Sequence, residues 1–362
     1  MAPGRTRAPL SQRSDGRRRF LAPPSSGVEP AAAPTFSVIV AAYQAAETIG
    51  EALQSIRQQT VPPLEVVVCD DGSTDDLDAA LQPYLGEIVL IRQENGGEGS
   101  AKNAAARASR GDFVLILDAD DVYLPDRIEA LLELAQVRPD LDILTTDALL
   151  VAAGRAVRNV YDRTWSFEVV DQRRAILQRN FIHGHAAVRR TLLLEHGGFD
   201  ETIRWTTDWD MWLRLILAGA RAGCVDEPLA LYRLRETSLT ARRRELLLGK
   251  LATLEKARSN MALRANERPI LEESVEVYRR ELVLLDLRRG VAAGETGVRR
   301  RALALARTRG YARRVRLEAV AISLVPAAAR RMIRRRAARG WVGAGGTYVA
   351  RRTAERDAKA QR

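Results

Sequence analysis

The stretch DFVLILDADD, residues 112–121, joins a run of five apolar residues to three carboxylates. Residues 113–117 are apolar throughout, which is typical of a strand buried in the middle of a sheet. Asp118, Asp120 and Asp121 follow directly, and like charges gathered at the end of a buried strand repel one another. The stretch therefore predicts that a positively charged group binds where this strand ends.

Strand and helix patterns alternate on both sides of this stretch. Alternation at this spacing predicts an α/β fold with a mostly parallel, Rossmann-like sheet that helices cover on both faces. In such sheets, ligands bind outside the carboxyl ends of the strands. The predicted strands lie in FSVIVAAY (36–43), EVVVCDDGSTDD (65–76), EIVLIRQENGG (87–97), DFVLILDADD (112–121) and DILTTDALL (142–150).

Polar residues gather at four of these carboxyl ends. Tyr43 follows the first strand, residues 70–73 the second, residues 96–97 the third and residues 118–121 the fourth. An Asp-x-Asp pair offers hard oxygens to Mg²⁺ or Mn²⁺, and Mg²⁺ prefers few protein carboxylates together with substrate phosphates. The alternative is structural: Asp118 caps a turn and the next aspartates open a helix. The convergence of four strand ends favours the ligand site.

Asp71 is a candidate for recognising a pyrimidine base, because a carboxylate at this depth can accept the imide N–H of uracil or thymine. Residues 70–73 also fit an ordinary turn before a helix, since Asp and Gly are turn formers. The sequence contains neither a P-loop nor a GxGxxG motif after a strand. Lys102, on the helix after the glycine loop, could meet a phosphate or could be a solvated charge.

Residues 181–219 hold a second candidate site. Asp208 lies near the start of an amphipathic helix, where capping alone contributes about 1 kcal/mol. Its alternative role is that of a general base, which requires a carboxylate close to an acceptor hydroxyl. The three histidines of the segment, His183, His185 and His196, match no zinc signature, so the sequence assigns them no metal.

The order of these motifs resembles glycosyltransferase family 2, whose members have the GT-A fold. The resemblance covers residue 36 to about residue 240, a little over half of the chain. Each motif is moderately specific, but the four in order are highly specific. They are SVIVAAYQAAETIGEALQSIRQQT (37–60), EVVVCDDGSTDD (65–76), NGGEGSAKNAAARASRGDFVLILDADD (95–121) and GGFDETIRWTTDWDMWLRL (197–215).

The resemblance implies an inverting enzyme that moves a sugar, a hexose by expectation, from a nucleotide-diphosphate donor to a hydroxyl. UDP-sugars are the expected donors, and a divalent cation (Mn²⁺ or Mg²⁺) is the expected cofactor. The expected acceptor is a glycan, a glycolipid or a lipid-linked cell-envelope polysaccharide. The implied roles are base contact for Tyr43 and Asp71, ribose and metal contact for Asp118, metal ligation for Asp120, and the catalytic base for Asp208. Lys102 is a donor-side candidate, and Asp70, Asp121 and Arg235 are further candidates.

Three positions depart from the family pattern. Gln44 follows Tyr43, where relatives usually have Asn. Thr207 replaces the usual Glu before the base, so a neighbour that could orient Asp208 is missing. Arg235 stands where many relatives have a metal-binding histidine; it could pair with the diphosphate directly, and metal dependence becomes a weaker expectation.

Charge divides the chain into three parts. Residues 1–34 are predicted to be a disordered basic leader, since no apolar run of a signal peptide follows their arginines. Residues 35–240, the predicted glycosyltransferase domain, carry 20 basic and 32 acidic side chains. Residues 241–362, a predicted helical extension, carry 31 basic and 12 acidic side chains. This polarity predicts that the extension meets an anionic surface.

The apolar run at 319–329 is too short for a bilayer span, which needs about 20 residues. It fits an interfacial helix, with Arg330, Arg331 and residues 334–336 near lipid headgroups and Trp341 at the boundary. The alternative is a solvated tail, and nucleic-acid binding is disfavoured because few aromatic residues interleave with the basic ones. We predict a cytoplasmic protein with peripheral membrane contact.

Two other functions stay open at this point. A nucleotidyltransferase of related fold would have a glycine-rich loop with Arg and Lys at the first strand end, which VIVAAYQAAET (38–48) lacks. A degenerate, non-catalytic protein whose tail binds nucleic acid or anionic lipid is the second alternative. The presence of Asp71, Asp118, Asp120 and Asp208 speaks against it, and Thr207 speaks for it.

Overall fold

The computed structural model describes residues 18–24, 33–152, 154–162, 165–234, 242–260 and 263–338. Its strands are β1 (Phe20–Leu21), β2 (Phe36–Ala42), β3 (Glu65–Asp70), β4 (Ile88–Arg92), β5 (Phe113–Asp118), β6 (Val122–Tyr123), β7 (Ile143–Ala152), β8 (Arg155–Asn159), β9 (Ala187–Arg189) and β10 (Ala222–Leu234). Its α-helices are α1 (Ile49–Arg57), α2 (Leu77–Leu81), α3 (Glu98–Ala108), α4 (Arg127–Val137), α5 (Gln172–Gln178), α6 (Arg190–Glu195), α7 (Thr207–Ala218), α8 (Arg243–Asn260), α9 (Arg268–Ala293), α10 (Val298–Arg307), α11 (Arg313–Leu324) and α12 (Pro326–Ala338). A 3₁₀ turn, Gln82–Tyr84, follows α2.

The strands form one sheet in the order β1-β10-β7-β9-β5-β2-β3-β4, with β6 beside β10 and β8 beside β7. Strands β5, β2, β3 and β4 are mutually parallel, so their carboxyl ends share one edge. Strand β9 runs antiparallel between β5 and β7, which makes the whole sheet mixed. The predicted α/β fold class is confirmed, and the parallel arrangement belongs to the strands that carry the motifs.

The apolar run of β5 is buried because helices cover both faces of the sheet. Val114 and Ile116 pack into one core cluster, and Leu115 and Leu117 pack into the other. Helices α3, α5 and α7 contribute to the first cluster, whereas α1 and α4 contribute to the second. A strand buried on both faces reads as a continuous apolar run, which explains why the sequence predicted it correctly.

Part of the predicted leader lies on the sheet. Strand β1 pairs with β10, and the buried side chain of Arg18 forms an ion pair of 3.1 Å with Glu133 of α4. The expectation of disorder therefore does not hold for residues 18–24.

The helical extension divides between two cores. Leu247 and Leu254 of α8, with Leu271 and Val275 of α9, join the cluster that contains α7. The later part of α9 packs with α10, α11 and α12 in a separate cluster. The predicted domain boundary at residue 240 falls in 235–241, outside the described residues. Among the described helices, none combines the length and apolarity that a membrane span requires.

Candidate active site

A cleft of about 820 Å³ opens where β2, β3 and β5 end. Its walls come mainly from five segments, namely residues 41–45, residues 95–99, residues 118–121, residues 201–204 and the pair Tyr232 and Arg233; Thr48, Asp71 and Ala101 also line it. The volume is in the range of small-molecule sites. Tyr43, Asp71, Asp118, Asp120 and Asp121, all predicted site residues, line it together.

Asp71 holds the glycine loop after β4. Its Oδ1 accepts hydrogen bonds from Gln93 Nε2 at 2.7 Å and from the Gly96 N–H at 2.9 Å, and its Oδ2 accepts one from the Gly97 N–H at 2.8 Å. A carboxylate has about four acceptor positions, so these three bonds leave one on Oδ2. Asp71 thus fixes the loop and retains an acceptor at the cleft.

The turn after β3 is held from the neighbouring strand end. Gln44, at a positive φ of 51°, accepts hydrogen bonds through Oε1 from the backbone N–H groups of Thr74 and Asp75, at 2.9 and 3.1 Å. Asp70 accepts one from the Ser73 N–H at 2.9 Å, within the same turn. Gln44 therefore holds this turn in place. From the sequence, Gln44 was only a position at which this chain differs from the usual Asn.

Lys102 lies buried beneath the cleft between two carboxylates. Its Nζ donates to Asp118 Oδ1 at 2.8 Å and to Glu98. Burial alone would lower the pKa of Lys102, but the two carboxylates outweigh it and hold that pKa above its ordinary value. Burial likewise opposes ionisation of Asp118, yet Lys102 and His185 keep its pKa below the ordinary range. Both groups are therefore charged at neutral pH.

Asp121 has two partners that the sequence did not indicate. Its Oδ1 accepts a hydrogen bond from the Arg233 N–H at 2.7 Å, and its Oδ2 lies 2.6 Å from His185 Nε2. Burial raises the pKa of Asp121 against the opposing effect of His185. His185 Nε2 also lies 3.8 Å from Asp118 Oδ2.

The donor groups at this strand end fit a divalent cation. One ligand atom each from Asp118, Asp121 and His185 lie within 4.8 Å of one another, and Asp120 lines the cleft beside them. Asp118 Oδ1 is bound by Lys102, while Oδ2 faces His185. Carboxylate oxygens completed by substrate phosphate suit Mg²⁺ or Mn²⁺. Asp118, Asp121 and His185 could hold such a cation, and Asp120, the other carboxylate of the Asp-x-Asp pair, lines the same cleft.

Asp208 lies in the first turn of α7, as predicted. Its Oδ2 accepts a hydrogen bond from Asn180 Nδ2 at 2.9 Å, and its Oδ1 accepts one from the Trp209 N–H at 2.7 Å. Burial raises the pKa of Asp208 to about 6; the Trp209 N–H opposes this rise and the nearby charge of Glu98 adds to it. Asn180 supplies the orienting neighbour that Thr207 cannot.

Helix α8 braces the start of α7. Lys256 Nζ binds Asp210, at 3.0 Å from Oδ1 and 3.1 Å from Oδ2, and also binds Asp200. Thr253 Oγ1 lies 2.8 Å from Thr206 Oγ1, at the N-cap of α7. The first helix of the extension therefore fixes the helix that carries Asp208.

The structure brings most of the predicted site residues to one edge of the sheet. Arg235 lies outside the described residues. Sequence reasoning missed Asn180, His185 and Arg233. Two sequence features could have pointed to His185 and Arg233. The triplet HGH at 183–185 contains His185 but has no zinc-site spacing, and the Tyr-Arg pair at 232–233 contains Arg233. The cleft and its carboxylates define an α/β protein with an acidic, ligand-sized site at the carboxyl edge of its sheet.

Part of the chain matches a known protein family. The model of glycosyl transferase family 2 matches residues 37–197. The chain is 32% identical over 192 residues to chondroitin synthase from Escherichia coli, covering 51% of this chain and 27% of that protein. It spans less than two thirds of the length of the first curated relatives that it matches. The chain therefore contains a glycosyl transferase family 2 domain, which takes up a little under half of its length.

Solved structures show the same fold. S. aureus TarS 1–349 in complex with UDP-GlcNAc has a TM-score of 0.54 at 21% identity, covering 84% of this chain and 92% of that chain. The mannosyltransferase PcManGT from Pyrobaculum calidifontis, in complex with GDP-Man and Mn²⁺, has a TM-score of 0.54 at 21% identity, covering 87% and 90%. At this identity the likeness shows the fold alone, which is GT-A.

Proposed function

We propose that this chain is an inverting glycosyltransferase that moves a sugar, a hexose by expectation, from a nucleoside diphosphate to a hydroxyl of a glycan or lipid-linked acceptor. One observation carries the proposal. Asp118 lines the cleft and is ionised, and its charge reaches Asp208, whose buried carboxyl has a raised pKa of about 6. Two carboxylates with separate pKa values suit separate roles, one toward the donor and one toward the acceptor.

The donor end of the cleft suits a pyrimidine nucleotide. Asp71 keeps one acceptor position on Oδ2, which fits the imide N–H of uracil, and Tyr43 lines the same wall. The backbone of residues 95–99 passes beside them. TarS binds UDP-GlcNAc, which supports a UDP-sugar as the first donor to try.

Asp118 and Asp120 are the proposed ligands of a divalent cation. When bound, the cation would neutralise charge on the diphosphate that leaves. Lys102 holds Asp118 from below, and Asp121 and His185 support the turn between β5 and β6. PcManGT was solved with Mn²⁺, which supports Mn²⁺ as the first cation to test.

Asp208 is the proposed general base. Its carboxylate takes the proton from the acceptor hydroxyl while that oxygen bonds to the anomeric carbon. The bond from the anomeric carbon to the diphosphate oxygen breaks, and the nucleoside diphosphate leaves with the electron pair. Asn180 and the Trp209 N–H fix the two carboxylate oxygens, so the base is oriented before the acceptor arrives.

Release of nucleoside diphosphate tests this function. The purified chain would be incubated with UDP-, GDP- and dTDP-sugars and Mn²⁺, with and without oligosaccharide and lipid-extract acceptors. We expect one donor to give acceptor-dependent release, and NMR of the product to show an inverted anomeric centre. Asp208→Asn should lose release, while Asp78→Asn, an exposed carboxylate paired with Arg92, should keep it. Release from none of the donors, or equal release by Asp208→Asn, contradicts the proposal.

The cellular setting belongs to the same proposal. Chondroitin synthase is a polysaccharide-making relative by name, which supports an acceptor in polysaccharide or cell-envelope glycan synthesis. A cytoplasmic location with peripheral membrane contact remains a prediction from the sequence.

A further inference from the structure

Helix α11 has two apolar faces, and only one of them is packed. Ala319 and Ile322 are buried against α9 and α10, and Val315 packs at the edge of that cluster. Leu317 and Leu324 point the other way and are 59% and 69% exposed. A helix that only completes a core needs no second apolar stripe.

The exposed side chains form a continuous stripe. Leu317, Val320 and Leu324 are separated by three and four positions, so they lie one above another on the helix. Val320 is 39% exposed, and Val325, which joins α11 to α12, is 56% exposed. Arg313 stands one turn before Leu317 on the same side. We call Arg313, Arg314, Leu317, Val320, Leu324 and Val325 the α11 surface.

Positive charge surrounds this surface. Residues 298–335 contain twelve arginines and one acidic residue, Glu318. Glu318 is bound by Arg288, at 2.8 Å from Nε and 2.6 Å from Nη2. Among the described residues, no ion pair within 4.0 Å neutralises Arg313 or Arg314 on α11, or Arg331 or Arg335 on α12. The partner of this surface should therefore be both apolar and negatively charged.

Charge argues against two nearby alternatives. A second copy packed through the same surface would bring the same arginines to the contact. Residues 339–362 carry six basic and two acidic side chains, so they have the same sign. Nucleic acid would match the charge but would leave the leucine stripe in water.

We propose that the α11 surface binds the surface of an anionic lipid bilayer. Its leucines and valines enter the boundary between headgroups and acyl chains, and its arginines lie at the headgroup phosphates. The sequence pointed to the apolar run at 319–329 and the arginines that follow it; the structure assigns the contact to the side of α11 that faces away from the protein. The inference is independent of sugar transfer, because binding needs neither donor nor acceptor.

Vesicle flotation of the full-length chain tests this inference. Vesicles of phosphatidylcholine alone are compared with vesicles that also contain phosphatidylglycerol, in low and high salt. We expect binding only to the anionic vesicles and weaker binding in high salt. Leu317→Ser/Leu324→Ser should weaken binding roughly tenfold or more, and Arg313→Gln/Arg314→Gln roughly fivefold for each arginine removed.

A matched control separates the stripe from apolar exposure in general. Val137 and Val170 are 60% and 83% exposed and lie outside the extension, so Val137→Ser/Val170→Ser should bind as the wild type does. All the side chains changed in these variants are exposed, so the substitutions should leave the fold intact. Circular dichroism checks that every variant is folded. Failure to bind anionic vesicles, equal binding to neutral ones, or unchanged binding after the leucine substitutions overturns the inference. Salt-sensitive binding to duplex DNA that is indifferent to those leucines would instead assign the arginines to nucleic acid.

Discussion

Asp208 combines a raised pKa with fixed geometry, and both properties can be tested at the scale of one residue. Its pKa of about 6 leaves the carboxylate ionised at neutral pH, while making it a stronger base than an ordinary aspartate. Only the ionised form can accept a proton, so kcat should rise with pH through about 6 and level off above it. Asp208→Asn should lower kcat by about 10²–10⁴-fold.

The measurement is the pH profile of kcat between pH 5 and 8, with donor affinity measured at each pH to separate binding from chemistry. A flat profile with unchanged donor affinity contradicts the assignment of Asp208 as the base.

Asn180 acts on the reaction through Asp208, as a positioning residue. Its amide donates to Asp208 Oδ2 at 2.9 Å, and a hydrogen bond to a carboxylate favours the charged form. Asn180→Ala should therefore lower kcat and move the midpoint of the kcat profile upward by roughly half to one pH unit. The KM for the donor should stay the same, because Asn180 contacts the proposed base Asp208 and has no proposed contact with the donor.

Asn159 offers a matched control, because its amide also donates to a carboxylate, that of Asp147, at 2.7 Å. Asn159→Ala should leave the midpoint in place. A raised KM for the donor in Asn180→Ala, with no shift of the midpoint, would assign Asn180 to donor binding.

At the scale of elements, the turn after β3 and the glycine loop after β4 fit together through Gly72. Gly72 has a φ of 76°, and a Cβ there would lie 2.9 Å from the Asn95 N and 3.3 Å from the Gln93 O. Gly72→Ala should displace the loop that Asp71 holds and weaken nucleotide binding.

Gly154 is a matched control that separates backbone strain from steric contact with the glycine loop. Its φ is also positive, at 73°, but a Cβ there would meet no atom within 4 Å. Gly154→Ala should cost about 1–2 kcal/mol for the left-handed backbone and leave nucleotide binding intact. Calorimetric titration with nucleotide and urea unfolding distinguish the two. Equal nucleotide affinity in both variants would show that the loop contact is unimportant.

Helix α8 supports the site indirectly, by bracing helix α7. Lys256 is shared by Asp200 and the fully buried Asp210, so Lys256→Met leaves Asp210 with Arg214 as its remaining cation. Urea unfolding should show a loss of about 2 kcal/mol, as expected for an under-satisfied buried group.

Arg258 on the same helix pairs with Glu255 and Glu272 at the surface, and Arg258→Met should cost less than about 1 kcal/mol. If the two variants lose the same stability, the brace between α8 and α7 is no stronger than a surface ion pair.

The sequence predicts elements well where burial imposes one pattern. Strands β2, β3 and β5 are apolar because both faces are covered, and their motif residues line the cleft as expected. Strand β9 is three residues long, and β10 has register shifts around Pro228, so neither gives a regular pattern. Asn180 and His185 reach Asp208 and Asp121 across 28 and 64 positions, contacts that no local spacing encodes.

Across the whole molecule, an acidic body and a basic helical extension share one chain, and we propose that they bind different partners. The acidic cleft suits a cation and a diphosphate, and the α11 surface suits an anionic bilayer. The sequence already predicted this polarity from charge alone. The leucine-rich stretch 246–285 also allows a helix pair that packs on the body, as α8 and α9 do. The sequence could not predict that α8 packs behind α7 in particular, because an amphipathic pattern shows that a helix packs but does not show which element it packs against.

We propose that the carboxylates after β5 bind a nucleoside diphosphate through a divalent cation. Calorimetric titration of the full-length chain with UDP, GDP, dTDP and ADP, each with Mn²⁺ and again with EDTA, tests it most directly. We predict that one nucleotide, UDP by expectation, binds only with Mn²⁺, that Asp120→Ala abolishes this binding, and that Asp78→Ala preserves it. Binding of no nucleotide in either condition, or binding that is unchanged in Asp120→Ala, would rule out this nucleotide site.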